Sequence, residues 1–114
     1  MSVSFHQYET EPLQLIIEQE GVEKPLEGYE KVAVSFDQST KQGCYHQDFL
    51  YEQGAGEIDV ENSCINLVFT QEQSGKFMPC DATVEVNILY EGGDRVATCE
   101  GTVKVFRNLY KKVM

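Results

Sequence analysis

Tryptophan is absent from this chain, and histidine is scarce, with only His6 and His46 among 114 residues. A hydrolytic triad needs a nucleophile, a base and an orienting acid. Neither histidine lies beside a serine or cysteine in a turn-to-helix elbow, so no candidate triad exists. The lack of tryptophan removes the usual sugar-stacking platform, although 19 acids leave a carboxylate pair for glycoside hydrolysis open. Gly54-Ala55-Gly56 looks like a phosphate loop only superficially. It lacks the G-x-G-x-x-G spacing, a following helix and a P-loop lysine. Long apolar runs are missing too: none approaches the roughly 18 residues that cross a bilayer. The opening Met1 to His6 has neither the basic region nor the apolar core of a targeting peptide. These absences predict a non-enzymatic protein, kept in the cytosol, with no membrane partner.

Positive charge is sparse and unevenly placed. Nine Lys and Arg stand against 19 Asp and Glu, a net charge of −10. Residues 1–100 hold all 19 acids and five bases, a net −14. Residues 101–114 hold Lys104, Arg107, Lys111 and Lys112 and no acid, a net +4. An acidic body disfavours nucleic acid as the main partner. The basic end is either a solvated terminus or a segment that docks on the acidic face of a neighbouring copy. Head-to-tail complementarity of that kind favours rings or stacks.

The strongest positive signal is Asp81 to Phe106, two long strands joined by Glu91-Gly92-Gly93-Asp94. With Tyr90 facing Arg95, one face carries Val84, Val86, Ile88 and Tyr90 opposite Gly101, Cys99, Ala97 and Arg95. Large residues oppose small ones, as on a face that packs against a second layer. The other face pairs Thr83 with Thr102, Glu85 with Glu100, Asn87 with Thr98 and Leu89 with Val96. Glu85 opposite Glu100 is a like-charge pair. It implies either a register-shifting bulge or a cation or basic partner. Leu89 and Val96 are either scattered surface aliphatics or part of an interaction patch.

Four cysteines allow three disulfide connectivities. The hairpin register opposes a Cys80–Cys99 bridge. Cys99 faces Val86, and Cys80 lies about 20 Å before Val86 at ~3.3 Å per residue. That exceeds the ~7 Å limit on Cα separation. Cys99 reads as a small core residue, Cys64 as near the outer face and Cys44 as a loop residue. A cytosolic setting keeps all four as free thiols. Cys44-Tyr45-His46 offers two metal-ligand types, but the second close pair of a zinc site is missing.

In chain order, Val3 to Tyr8 is predicted as a strand with Val3 and Phe5 inward, and Leu13 to Ile17 as a second with Leu13, Leu15 and Ile17 inward. An acidic loop runs from Gly21 to Gly28. Tyr29 to Gln38 follows with Val32, Val34 and Phe36 inward, then a polar turn over Ser39 to Gly43. His46 to Tyr51, a short Glu57 to Val60 and Cys64 to Thr70 complete the set before the hairpin. One helical turn is expected at Gln71 to Ser74. About seven short antiparallel strands with turn chemistry between them predict an all-β, immunoglobulin-like sandwich as a single domain over residues 1–114. A small barrel is the alternative. Residues 108–114 are expected to form a frayed basic tail.

Four stretches carry a family likeness. They are Thr10-Glu11-Pro12-Leu13-Gln14-Leu15-Ile16-Ile17, Leu26 to Gln38, Ile65 to Phe77, and Val84 to Tyr90 with Gly92 to Thr98. Together they resemble the small immunoglobulin-like proteins of tail modules in phages and prophages of Gram-positive bacteria, a group that includes the N-terminal domain of the phage baseplate upper protein. Thr70-Gln71-Glu72 followed by Phe77 is the least generic part. The likeness spans about residues 8–105. A Gly-Asp turn commonly precedes the threonine in that family, where this chain has Tyr8-Glu9. The helical stalk of the full baseplate protein has no counterpart, so its stalk function does not carry over.

The resemblance implies a non-enzymatic tail or baseplate subunit without a cofactor. Its partners would be other tail or baseplate proteins or copies of itself, and it would pass from the bacterial cytoplasm into the virion. The residues expected at interfaces are Leu89 and Val96 on the hairpin, Arg107, Lys111 and Lys112 at the basic end, and Glu20, Glu23 and Glu27 in the acidic loop. The competing reading is a carbohydrate-binding module that uses Tyr45 and Tyr51.

Overall fold

Gly92 and Gly93 both sit at positive φ, +92° and +72°, the conformation a tight hairpin turn requires and glycine adopts freely. They join the two strands at the centre of the fold. The computed structural model describes residues 2–93, 95–110 and 113–114, so Asp94 of the predicted turn lies outside the described residues. The elements are β1 (Ser2–His6), β2 (Leu13–Ile16), β3 (Tyr29–Thr40), β4 (Gly43–Glu52), β5 (Ile58–Asp59), β6 (Cys64–Leu67), α1 (Gln71–Gly75), β7 (Ala82–Tyr90) and β8 (Val96–Phe106).

These strands form an all-β sandwich of two sheets, a five-stranded one ordered β1-β8-β7-β3-β4 and a three-stranded one ordered β2-β6-β5. The order is that of an immunoglobulin-like sandwich. β3, β7 and β8 take the C, F and G places, β4 is the added C′ strand, and β2, β6 and β5 are B, E and D. The β7–β8 register is the expected one, from Thr83 with Thr102 through Glu85 with Glu100 to Leu89 with Val96.

Alternation supplies the core. Val84, Val86, Ile88 and Tyr90 of β7 are buried, as are Val32, Val34 and Phe36 of β3 and Leu13, Leu15 and Ile17 from the facing sheet. Phe5, Phe36, Phe69 and Phe77 form an aromatic cluster between the sheets. Its ring centroids stand 4.9 Å (Phe5–Phe69), 5.4 Å (Phe36–Phe69) and 5.4 Å (Phe69–Phe77) apart, within the range where edge and tilted aromatic contacts are favourable. All four cysteines are free.

α1 begins at Thr70. The Thr70 hydroxyl accepts from the Gln73 amide at 3.1 Å, and the Thr70 amide donates to the Gln73 side chain at 2.9 Å. This capping box satisfies two otherwise orphaned donors. The distinctive Thr70-Gln71-Glu72 sequence is therefore a helix start.

The structure differs from the sequence reading in several places. The eight strands among the described residues fit the expected number of about seven, but they are not all antiparallel: β1 pairs with β8 in parallel, Ser2 with Thr102 through His6 with Phe106. That pairing joins opposite ends of the chain, which local patterning does not register. Cys64 lies on the face away from Ile65 and Leu67, beside Asn66, yet is only 3% exposed there. It lies on the central strand of three, with Ile16 and Asp59 in register on either side. Cys44 belongs to β4, not a loop, because the turn tightens to Lys41 and Gln42 and the strand starts at Gly43. Among the described residues, no helix is long and apolar enough to cross a membrane.

Candidate interaction surface

The acidic loop and the hairpin tip are one structural unit. Leu26 is fully buried and anchors the loop in the core, while Glu20, Glu23 and Glu27 are exposed around it. Tyr90 donates its hydroxyl proton to the Pro25 carbonyl, and the Glu91 amide donates to the Gly28 carbonyl at 2.9 Å. The Arg95 guanidinium lies 4.2 Å above the Tyr90 ring, a cation–π arrangement. Gly21, Val22, Glu23, Lys24, Glu27 and Arg95 line an open depression of about 550 Å³. Glu61 accepts from Lys24 at 2.9 Å and holds its ammonium pKa above the ordinary value.

Leu89 and Val96 adjoin this end on the outer face of the large sheet. Val96 is 60% exposed and Leu89 is half-buried. The register row Glu52–Lys31–Leu89–Val96 lies beside the row Leu50–Ala33–Asn87–Thr98. Leu50, 61% exposed, is thus an outer-face aliphatic that the sequence reading passed over. Its signal was available, since it alternates with Phe49 and Tyr51.

Arg107 lies just past the far end of β8, where it lines a depression of about 240 Å³ with Gln7, Tyr8 and Pro79. The 11 residues of β8 span about 35 Å at ~3.3 Å each, so the acidic loop and Arg107 occupy opposite ends of the strand. Asn108 is tied to β1's end, donating from its side chain to the Gln7 carbonyl at 3.1 Å. Lys111 and Lys112 lie outside the described residues.

The middle of the outer face is acidic. Glu85 and Glu100 face each other with no register shift, so the bulge alternative is excluded. Glu85 accepts from the Asn87 side chain at 2.9 Å. In the same row, Ser35 beside Asp48 is the main cause that holds the Asp48 carboxyl below its ordinary range, with His46 adding to it. His46 sits between two carboxylates, Nε2 at 2.7 Å from Asp48 and Nδ1 at 3.4 Å from Asp37. Both raise its pKa, Asp48 most. Cys44 and His46 point to this same outer face. No cluster of three or more metal-binding side chains occurs among the described residues.

Tyr45 and Tyr51 turn inward instead. Both are half-buried against the core, and the Tyr45 ring meets Phe77 edge-on at 4.9 Å. Burial pushes both phenol pKa values up, that of Tyr51 to about 12. Neither ring forms an open stacking platform.

Comparison of the chain with family models, with characterised proteins and with solved structures finds no match.

Proposed function

We propose that this protein is a non-enzymatic structural subunit of a phage or prophage tail or baseplate, made in the bacterial cytoplasm and built into the virion through protein–protein interfaces. The observation that carries the reading is the placement of an acidic loop, with Leu89 and Val96 beside it, at one end of β8 and of Arg107 at the other. An acidic loop at one end and the Arg107 guanidinium at the other suit head-to-tail contact with copies of the chain or with neighbouring tail proteins. The family likeness across residues 8–105 supports it. Tyr8, at a φ of +67°, stands where that family commonly has glycine and is the departure from the likeness. The half-buried tyrosines weigh against the carbohydrate-binding alternative.

The test is mass spectrometry of purified particles released by induction of the phage that encodes the chain. The chain is expected in the particles, and Leu89→Asp with Val96→Asp should remove it from them while leaving a folded protein in the lysate. Absence of the native chain from particles overturns the tail reading. Normal incorporation of the double variant overturns the role given to the hairpin pair.

A further inference from the structure

We infer that β4 is an assembly edge: two copies of this chain join by antiparallel pairing of β4 with β4, about a two-fold axis at Gln47. The inference is independent of the phage reading. It begins with an imbalance among the sheet edges. β1, β2 and β5 are edge strands of five, four and two residues, whereas β4 is an edge strand of ten. Soluble proteins blunt a long edge with charged side chains, lysine above all, or with proline, a bulge or a covering segment, and the acids of β4, Asp48 and Glu52, lie on its outer face. β4, Gly43-Cys44-Tyr45-His46-Gln47-Asp48-Phe49-Leu50-Tyr51-Glu52, has no lysine and no proline. Its register with β3 runs unbroken from Lys31 with Glu52 to Thr40 with Gly43.

The hydrogen-bonding direction follows from the hairpins. Tyr90 N–H donates to the Arg95 carbonyl at 3.1 Å, which sets the alternation of the ladder across β7, β3 and β4. By that alternation Tyr45, Gln47, Phe49 and Tyr51 bond to β3. Cys44, His46, Asp48 and Leu50 direct their N–H and C=O groups away from the sheet, with no backbone partner among the described residues. These same four residues carry their side chains on the exposed outer face.

The occupant is chosen by side-chain complementarity. With the axis at Gln47, His46 faces Asp48 of the second copy and Asp48 faces His46 of the second copy. Cys44 then faces Leu50, and Tyr45 faces Phe49, each pair occurring twice. Moving the axis one residue to Asp48 sets two carboxylates against each other. Moving it to His46 sets two imidazoles together and turns Asp48 toward Cys44. Opposite-charge and aromatic cross-strand pairs stabilise a ladder, while like charges directly opposed destabilise it. The strand is therefore complementary to itself in the Gln47 register, and a two-fold interface closes without leaving a further β4 edge open.

The register makes a sharp test. In a hydrogen-bonded antiparallel pair the Cα atoms stand ~5.5 Å apart, within disulfide reach. Leu50→Cys should therefore crosslink to the native Cys44 of the second copy under diamide. Glu52→Cys, which faces Gln42 in this register, should remain uncrosslinked. Sedimentation equilibrium of the unaltered chain should give a dimer. His46→Asp should weaken that dimer by about tenfold or more, and His46→Asp with Asp48→His should restore it. A native chain that stays monomeric at every concentration overturns the inference. So does a crosslink through Glu52→Cys in place of Leu50→Cys, or a double exchange that fails to restore the dimer.

Discussion

The ring of Tyr8 fills the space that a side chain at Gly75 would need: a Cβ at Gly75 would lie 2.3 Å from Tyr8 Cε1 and 2.6 Å from Cδ1. This contact ties the turn after β1 to the end of α1. Gly75→Ala should cost about 1–3 kcal/mol, the usual range for overpacking. Tyr8→Gly removes the ring and also relieves a non-glycine residue at φ +67°. In that background Gly75→Ala should be close to neutral. Urea unfolding of the four proteins of this cycle measures the coupling, and additive effects would show that the ring does not set the constraint.

Gln38 is a buried polar clamp, 1% exposed. Its side-chain nitrogen donates to the Met78 and Cys80 carbonyls, each at 2.9 Å, and its oxygen accepts from the Met78 amide at 2.9 Å. The clamp holds the segment before β7 against the end of β3. Gln38→Leu leaves those backbone groups without this partner and should destabilise the fold by about 2–4 kcal/mol, given 1–3 kcal/mol per unsatisfied buried group. Gln38→Glu keeps the acceptor but sets a carboxylate against two carbonyls. Its stability should therefore improve as pH falls and the carboxyl protonates, which denaturant midpoints between pH 4 and 8 would reveal.

His46 should titrate above its ordinary value of 6.5, because Asp48 first and Asp37 second stabilise its charged form. The folded pKa is the raised one, so the linked stability is fully present below about pH 6.5 and is lost as pH rises through the folded value. The side chain is exposed, so the effect should be modest and should shrink with added salt. An NMR titration of the His46 ring should show the elevated midpoint, and Asp48→Asn should bring it down. An unchanged midpoint in that variant would remove Asp48 as the main cause.

The parts of the fold legible in the chain were those governed by short-range rules. The β7–β8 register was readable because the turn and the alternation of Val84, Val86 and Ile88 both act within a few residues. The inward faces of β2 and β3 were readable for the same reason. The burial of Cys64 was not readable because alternation assigns a face but does not reveal that flanking strands cover it. The strand signal of β4 begins only at His46, because Cys44 carries none, so the edge that extends to Gly43 is not legible in the sequence.

Periodicity, turn chemistry and charge are written residue by residue, and the all-β sandwich, its central hairpin and the separation of an acidic body from a basic end follow from them. Three-dimensional packing sets the rest: β1 crosses to lie parallel on β8, the acidic loop packs on the hairpin tip through Tyr90 and Leu26, and β4 is a long edge strand with no further strand beside it among the described residues. Those outcomes depend on pairings between residues tens of positions apart. Their net free energy is set by how the closed core as a whole is filled, and no local window of sequence contains it.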